Sequence, residues 1–189
     1  MKLLAGALFL IVMFAVYDAI GGSLPGSGHI LTRYGVVLGL SFVAVLIHEL
    51  GHAAAVLAFR GRIRSVVVFP FAYRVASGKL KLSWNARGGE IGGYVAYDLD
   101  RINARTKHAW IALAGPLANG VLAGAMLILL WASGPRQPAN LLQNLATALA
   151  TLSCGMAIVN LIPFAGSDGS AILRSLRDKR SRTAPDRSI

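Results

Sequence analysis

The sequence predicts an all-α polytopic membrane protein with about four transmembrane helices and a small β element between the second and third. Three observations carry that fold class. Of the 189 residues 55% are hydrophobic and only 14% charged, with a mean hydropathy of +0.59, whereas a soluble domain carries about 25% charge. Four stretches are long and apolar, and a helix needs roughly 20 such residues to cross the hydrocarbon. The basic residues collect on one side of those stretches. So much apolar side chain excludes a disordered chain. Cys154, the only cysteine, excludes a disulfide scaffold.

The first apolar segment, about 3–20, follows Lys2 and is interrupted only by Asp18. A secretory signal peptide is the alternative reading. Tyr17 and Asp18 stand where a small-x-small cleavage site would be, so a retained helix is expected. The second segment, about 34–59, carries His48, Glu49 and His52 as its sole acidic, basic or histidine side chains. The third, about 109–133, and the fourth, about 141–162, carry none.

The connection between the second and third segments is too long to be a mere loop. Within it, the stretch Arg64 to Val75 contains the β-forming run Ser65-Val66-Val67-Val68-Phe69. Lys79 to Trp84 alternates apolar and polar with period two, and Ser77-Gly78 between the two is a turn signal. Gly88-Gly89-Glu90-Ile91-Gly92-Gly93-Tyr94-Val95 reads as a glycine-rich lead into a further short strand. Its composition alone also fits a turn. The β element is thus placed at about 62–98, on the cytoplasmic side and dipping into the membrane. Residues 1–177 form one domain, and 178–189 a basic tail too charged to pack.

The net charge of +11 invites a nucleic-acid reading, but no reader motif accompanies it. With four helices, the termini and the 60–107 connection share one side, and that side holds 17 of the 19 Lys and Arg residues. The positive-inside rule makes it the cytoplasm. The expected environment is a lipid bilayer, taken as a prokaryotic cell membrane from the compact architecture, and no nucleic-acid partner is expected.

The chemistry lies in the second helix. His48-Glu49-Leu50-Gly51-His52 is an HExxH pattern, in a chain with only four His and two Glu. On a helix, i and i+4 share a face, so His48 and His52 can offer two imidazoles to one metal ion. Glu49 beside them can take a proton from the attacking water. Zinc suits such a set. Three ionisable groups inside a membrane helix are costly unless they serve a function.

A catalytic zinc needs a third protein ligand. His29 lies on the wrong side, His108 starts the third helix at the interface, and Glu90 sits in the glycine-rich segment. Asp168 follows the fourth helix, where Pro163 should break the helix and Gly166 permit a turn. It arrives on the same side as His52 and is the favoured ligand. The competing role for it is an N-cap ahead of Ser170 to Leu176.

With these residues in view, the sequence resembles the site-2 protease family of intramembrane zinc metalloproteases. HExxH at His48 to His52 is followed by an Asn-x-x-Pro-x-x-x-x-Asp-Gly motif at Asn160, Pro163, Asp168 and Gly169. Gly115-Pro116-Leu117-Ala118-Asn119 is similar to the motif of the intervening core helix, and Gly92-Gly93-Tyr94-Val95 to a re-entrant β segment. The resemblance covers roughly residues 35–175. It departs from the family at Ala165 and Gly166, where further prolines are common, and at Ile91.

The resemblance implies cleavage of a peptide bond in or next to a substrate's transmembrane segment. It implies His48, His52 and Asp168 as ligands to one Zn2+ and Glu49 as general base. It places Asn160, Gly92, Gly93 and Asn119 with the substrate. The compact form lacks a PDZ or CBS domain, so selection falls to the core or to a regulatory or adaptor membrane protein. A non-proteolytic client-binding protein of the same fold is the alternative, but it predicts loss of the base or a ligand, and all four residues are present. A di-iron centre would need more histidines, and a transporter would string ligands through several helices.

Overall fold

The computed structural model describes residues 1–21, 30–76, 79–84, 92–100, 102–135 and 140–181. Four helices are long and apolar enough to cross a membrane: α1 (Lys2–Gly21), α2 (Ile30–Ala58), α3 (Ala104–Ala132) and α4 (Leu141–Leu161). Between α2 and α3 lie four strands, β1 (Arg62–Val68), β2 (Phe71–Ala76), β3 (Lys79–Trp84) and β4 (Gly93–Asp98). A fifth helix, α5 (Asp168–Ser181), follows α4.

α1 packs as a member of the bundle. Its Val12, Val16 and Ile20 form one buried cluster with Val37 and Ala44 of α2 and Ala148 and Leu152 of α4. Gly155 of α4 makes this approach possible, since a Cβ there would lie 2.5 Å from a Val12 methyl. The outward faces are apolar: Leu3, Phe14, Leu38, Val121 and Ile128 are all exposed. A surface of this kind is stable against lipid and unfavourable against water. Trp110 and Trp131 on α3 are 55% and 85% exposed. They stand about 32 Å apart at 1.5 Å per residue, close to the ~30 Å hydrocarbon thickness. Interfacial tryptophans bracket membrane spans in this way.

α3 and α5 begin or end beyond their sequence-expected limits. α3 starts at Ala104 and not near Ala109, because Arg105, Thr106, Lys107 and His108 continue the helix outside the apolar run. α5 continues to Ser181, into the stretch expected as a tail. The rest of that tail lies outside the described residues.

The sheet is antiparallel with order β3-β2-β1-β4. The stretch Arg64 to Val75 is divided between two strands. Val68 pairs with Phe71 across a two-residue turn at Phe69-Pro70, since proline has no N–H to give a ladder. The expected turn at Ser77-Gly78 lies outside the described residues. The tip of the β1–β2 hairpin reaches deep. Phe71 packs edge-on to Phe42 of α2 at 5.8 Å between ring centroids, and Phe42 is ~9 Å further along α2 from its C-terminal end than His48. β4 pairs with β1 on one side, and no described strand covers its other edge.

Candidate metal centre

The site lies where the C-terminal part of α2 meets α3, β4 and the start of α5. α2 and α3 touch closely because their contact is built from small residues. A Cβ on Gly51 would lie 2.6 Å from the Ala114 carbonyl oxygen and 2.7 Å from the Ala118 methyl. Between those two residues on α3, a Cβ on Gly115 would run into both imidazoles, 2.8 Å from His48 Nε2 and against His52 Nε2. Glycine at 115 is thus what leaves room for two histidines to face the same point.

The third group comes from 120 residues along the chain. α4 ends at Leu161, and Ile162 is extended (φ −69°, ψ 124°), as a residue ahead of a proline must be. Gly166 takes a positive φ of 95°, and α5 then begins. Gly169 packs directly on the Leu161 carbonyl, where a Cβ would have no space. This tight return from α4 into α5 delivers the Asp168 carboxylate to the histidines. Its Oδ2 is 3.1 Å from His48 Nε2 and its Oδ1 is 3.4 Å from His52 Nε2.

The competing role for Asp168 falls to its neighbour. Ser167 Oγ accepts from the backbone N–H groups of Ser170 and Phe164 at 3.2 and 3.1 Å. Ser167 is the N-cap and Asp168 the first helical residue, so the carboxylate is free of capping duty. Sequence reading did not single out Ser167. The signal was a serine three residues before Ser170, at cap spacing, with Asp168 competing for the same role. Ser167→Ala is expected to cost about 1 kcal/mol of stability, read as a lowered thermal midpoint in detergent, without removing a ligand.

His48, His52 and Asp168 are the described cluster able to hold a metal, with one ligand atom from each lying within 4.8 Å of the others. Metal–ligand bonds of 2.0–2.2 Å in a tetrahedron put ligand atoms about 3.4 Å apart, which matches the two His–Asp separations. The ring orientations fit as well. His52 Nδ1 donates to the Ile111 carbonyl at 2.6 Å, which leaves Nε2 for the metal. His48 Nδ1 lies 3.2 Å from Asn119 Nδ2, again turning Nε2 inward. The donor set and its spacing therefore fit zinc. Burial works against the Asp168 charge, but hydrogen bonds from His48 and His52 outweigh it and hold the carboxyl below its ordinary value.

Glu49 stands next to the cluster without joining it. It is 4% exposed, and its Oε2 has no hydrogen-bond partner. Gly93 closes over it, since a Cβ there would lie 2.6 Å from Glu49 Oε1. A cleft of about 640 Å³ opens on the group, with Glu49, Gly92, Gly93 and Asn160 in its walls beside the three cluster residues. Gly92 has a φ of 138° and its carbonyl accepts from Phe69 N–H at 3.0 Å. Asn160 Nδ2 donates to the Met156 carbonyl at 3.1 Å.

Other expectations meet a different placement. Asn119, placed with the substrate at first reading, does not line the cleft. It is fully buried behind His48, because position 119 is one helical turn past Gly115 on the face that packs against α2. His108 stands in the cleft wall, outside the metal cluster, with its Nδ1 2.8 Å from the Tyr97 hydroxyl. Burial, reinforced by the Asp168 carboxylate, pushes the Tyr97 hydroxyl pKa up. Glu90 and His29, the remaining third-ligand candidates, lie outside the described residues, as do residues 88–91 of the glycine-rich segment.

Residues 36–149 match the model of peptidase family M50. That stretch is more than half of the chain and takes in His48, Glu49, His52, Gly92, Gly93 and Asn119. It stops short of Asn160 and Asp168, so the place of Asp168 in the cluster rests on the geometry above. No curated protein and no solved structure matches the chain.

Proposed function

From the premise that the chain belongs to peptidase family M50, and is therefore a membrane metallopeptidase, we propose that it is a site-2-type zinc endopeptidase. It cuts a peptide bond in or next to a transmembrane segment of another protein. One observation carries this reading. His48, His52 and Asp168 converge with Glu49 beside them, against helices long and apolar enough to cross a membrane. The depth can be gauged on α3, where Gly115, against the imidazoles, is about 8 Å further into the membrane than Trp110.

His48, His52 and Asp168 would hold one zinc ion. Bound there, zinc supplies Lewis-acid polarisation of the scissile carbonyl and a more acidic water. Glu49 takes the proton from the attacking water and later returns it to the leaving amine. Its unpartnered Oε2 has no other hydrogen bond to surrender first. Asn160 uses one amide N–H on Met156 and has a second to offer to the substrate carbonyl as negative charge develops.

A substrate segment must be extended to be cut, and its backbone groups then need partners. The edge of β4 that no described strand covers, starting at Gly93 beside Glu49, offers a row of them. Strand addition satisfies both edges at once, which matters most where water is scarce. Gly92 and Gly93 let the two backbones approach. By the charge distribution, the termini and the 60–107 connection are cytoplasmic. The partners are a single-span or multi-span membrane substrate and a regulatory or adaptor membrane protein that presents it.

The test is to purify the chain in mild detergent, measure zinc, and incubate it with single-span substrates. The expected result is about one zinc per chain and a product whose new terminus, by mass spectrometry, maps to the apolar segment or its flank. A chain that takes up no zinc after reconstitution would sink the assignment, as would cuts confined to distant soluble loops.

A further inference from the structure

Asn119 is a fully buried amide. It sits on α3 with none of its surface exposed, in the middle of a membrane span. A polar group in that setting is costly unless it is paired. Half of it is paired: Nδ2 lies 3.2 Å from His48 Nδ1, while Oδ1 has no partner.

The two histidines are supported in different ways. His52 Nδ1 faces a backbone carbonyl, that of Ile111, which can only accept. That ring therefore keeps a proton on Nδ1, and its Nε2 is the atom that faces Asp168. His48 Nδ1 faces a side-chain amide, which can donate or accept by turning over. With His48 Nε2–H directed at Asp168, as the 3.1 Å contact permits, Nδ1 is bare and Asn119 Nδ2 donates to it. Once Nε2 is a metal ligand, the ring proton must sit on Nδ1. An N–H would then face an N–H across 3.2 Å. Exchanging the amide oxygen and nitrogen removes that conflict and uses the orphaned Oδ1.

We infer that Asn119 is a positioning residue for the metal site: its side-chain oxygen accepts from His48 Nδ1–H when Nε2 is a ligand. The inference rests on the zinc-peptidase reading and adds to it an outer-shell partner for His48. It removes Asn119 from the substrate contacts.

The experiment measures zinc affinity, by competition with a chromophoric chelator, for the purified full chain, Asn119→Leu and Asn119→Asp. Leucine keeps the bulk and removes the hydrogen bond, and aspartate keeps the acceptor and removes the donor. The expected result is zinc binding about 10–100-fold weaker in Asn119→Leu and at least as tight as wild type in Asn119→Asp.

A packing role predicts the reverse order, with leucine tolerated and aspartate damaging. A substrate role predicts unchanged zinc affinity and a raised KM in both variants. Either pattern overturns the inference. Should Asn119→Leu not fold, Asn119→Asp decides alone: tight zinc supports the acceptor role, and weak zinc for any reason refutes it. Failure of the zinc-peptidase reading itself is separately visible, because wild type would then bind no zinc.

Discussion

Glu49→Gln is expected to stop cleavage while leaving zinc in place. Glu49 follows His48 by one residue, which turns it about 100° around the helix axis and out of the pair formed by His48 and His52. It is therefore absent from the ligand cluster yet lines the same cleft. Glutamine has nearly the same shape, so the close packing with Gly93 is retained and His48, His52 and Asp168 are undisturbed. What is lost is the unpartnered Glu49 carboxylate oxygen able to take a proton. Loss of a general base lowers the rate by about 10²–10⁴. The measurement pairs zinc content with initial rates of substrate cleavage. Wild-type rates from the glutamine variant would mean that another group removes the proton, and loss of zinc would place Glu49 among the ligands.

Much of this site was legible in the sequence because the relevant spacings are local. His48 and His52 share a helix face by periodicity alone, and Pro163 stops α4 where the sequence said it should. The Asp168 pairing spans 120 residues and could be reached from sequence only through topology and the scarcity of other ligands. Hydropathy located the spans but not the helix limits, since Arg105 to His108 and the charged α5 are helical without being apolar. Pro70 marked the break between β1 and β2, but the continuous run of β-formers around it concealed the turn.

Asn119 shows a different limit. The motif around it singled out the position but not the direction its side chain takes, which is toward His48 and not into the cleft. The same holds for Ser167 and Asp168, adjacent residues with the same capping chemistry. Only the hydrogen bonds divide their duties.

That division makes Asp168→Ala the sharpest test of the ligand set. If Asp168 were mainly a cap, alanine would cost about 1 kcal/mol in stability and little in metal. With Ser167 holding the helix start, alanine should leave α5 formed and the thermal midpoint of the metal-free protein close to wild type. Zinc affinity should instead fall by more than the 10–100-fold that an outer-shell loss costs, because on the proposed reading the substitution removes a direct ligand and leaves two imidazoles without their carboxylate. Cleavage should fall with occupancy and recover in part at high zinc concentration, which distinguishes it from Glu49→Gln, where added zinc changes nothing. Gly169→Ala is the geometric counterpart. It keeps every ligand but forces a Cβ against the Leu161 carbonyl, displacing the start of α5 and Asp168 with it. Weak zinc in both variants would mean that the site depends on the carboxylate and on the tight return that delivers it. Tight zinc in Asp168→Ala would show instead that the ion is held without that residue, and the third ligand would have to be sought elsewhere in the chain.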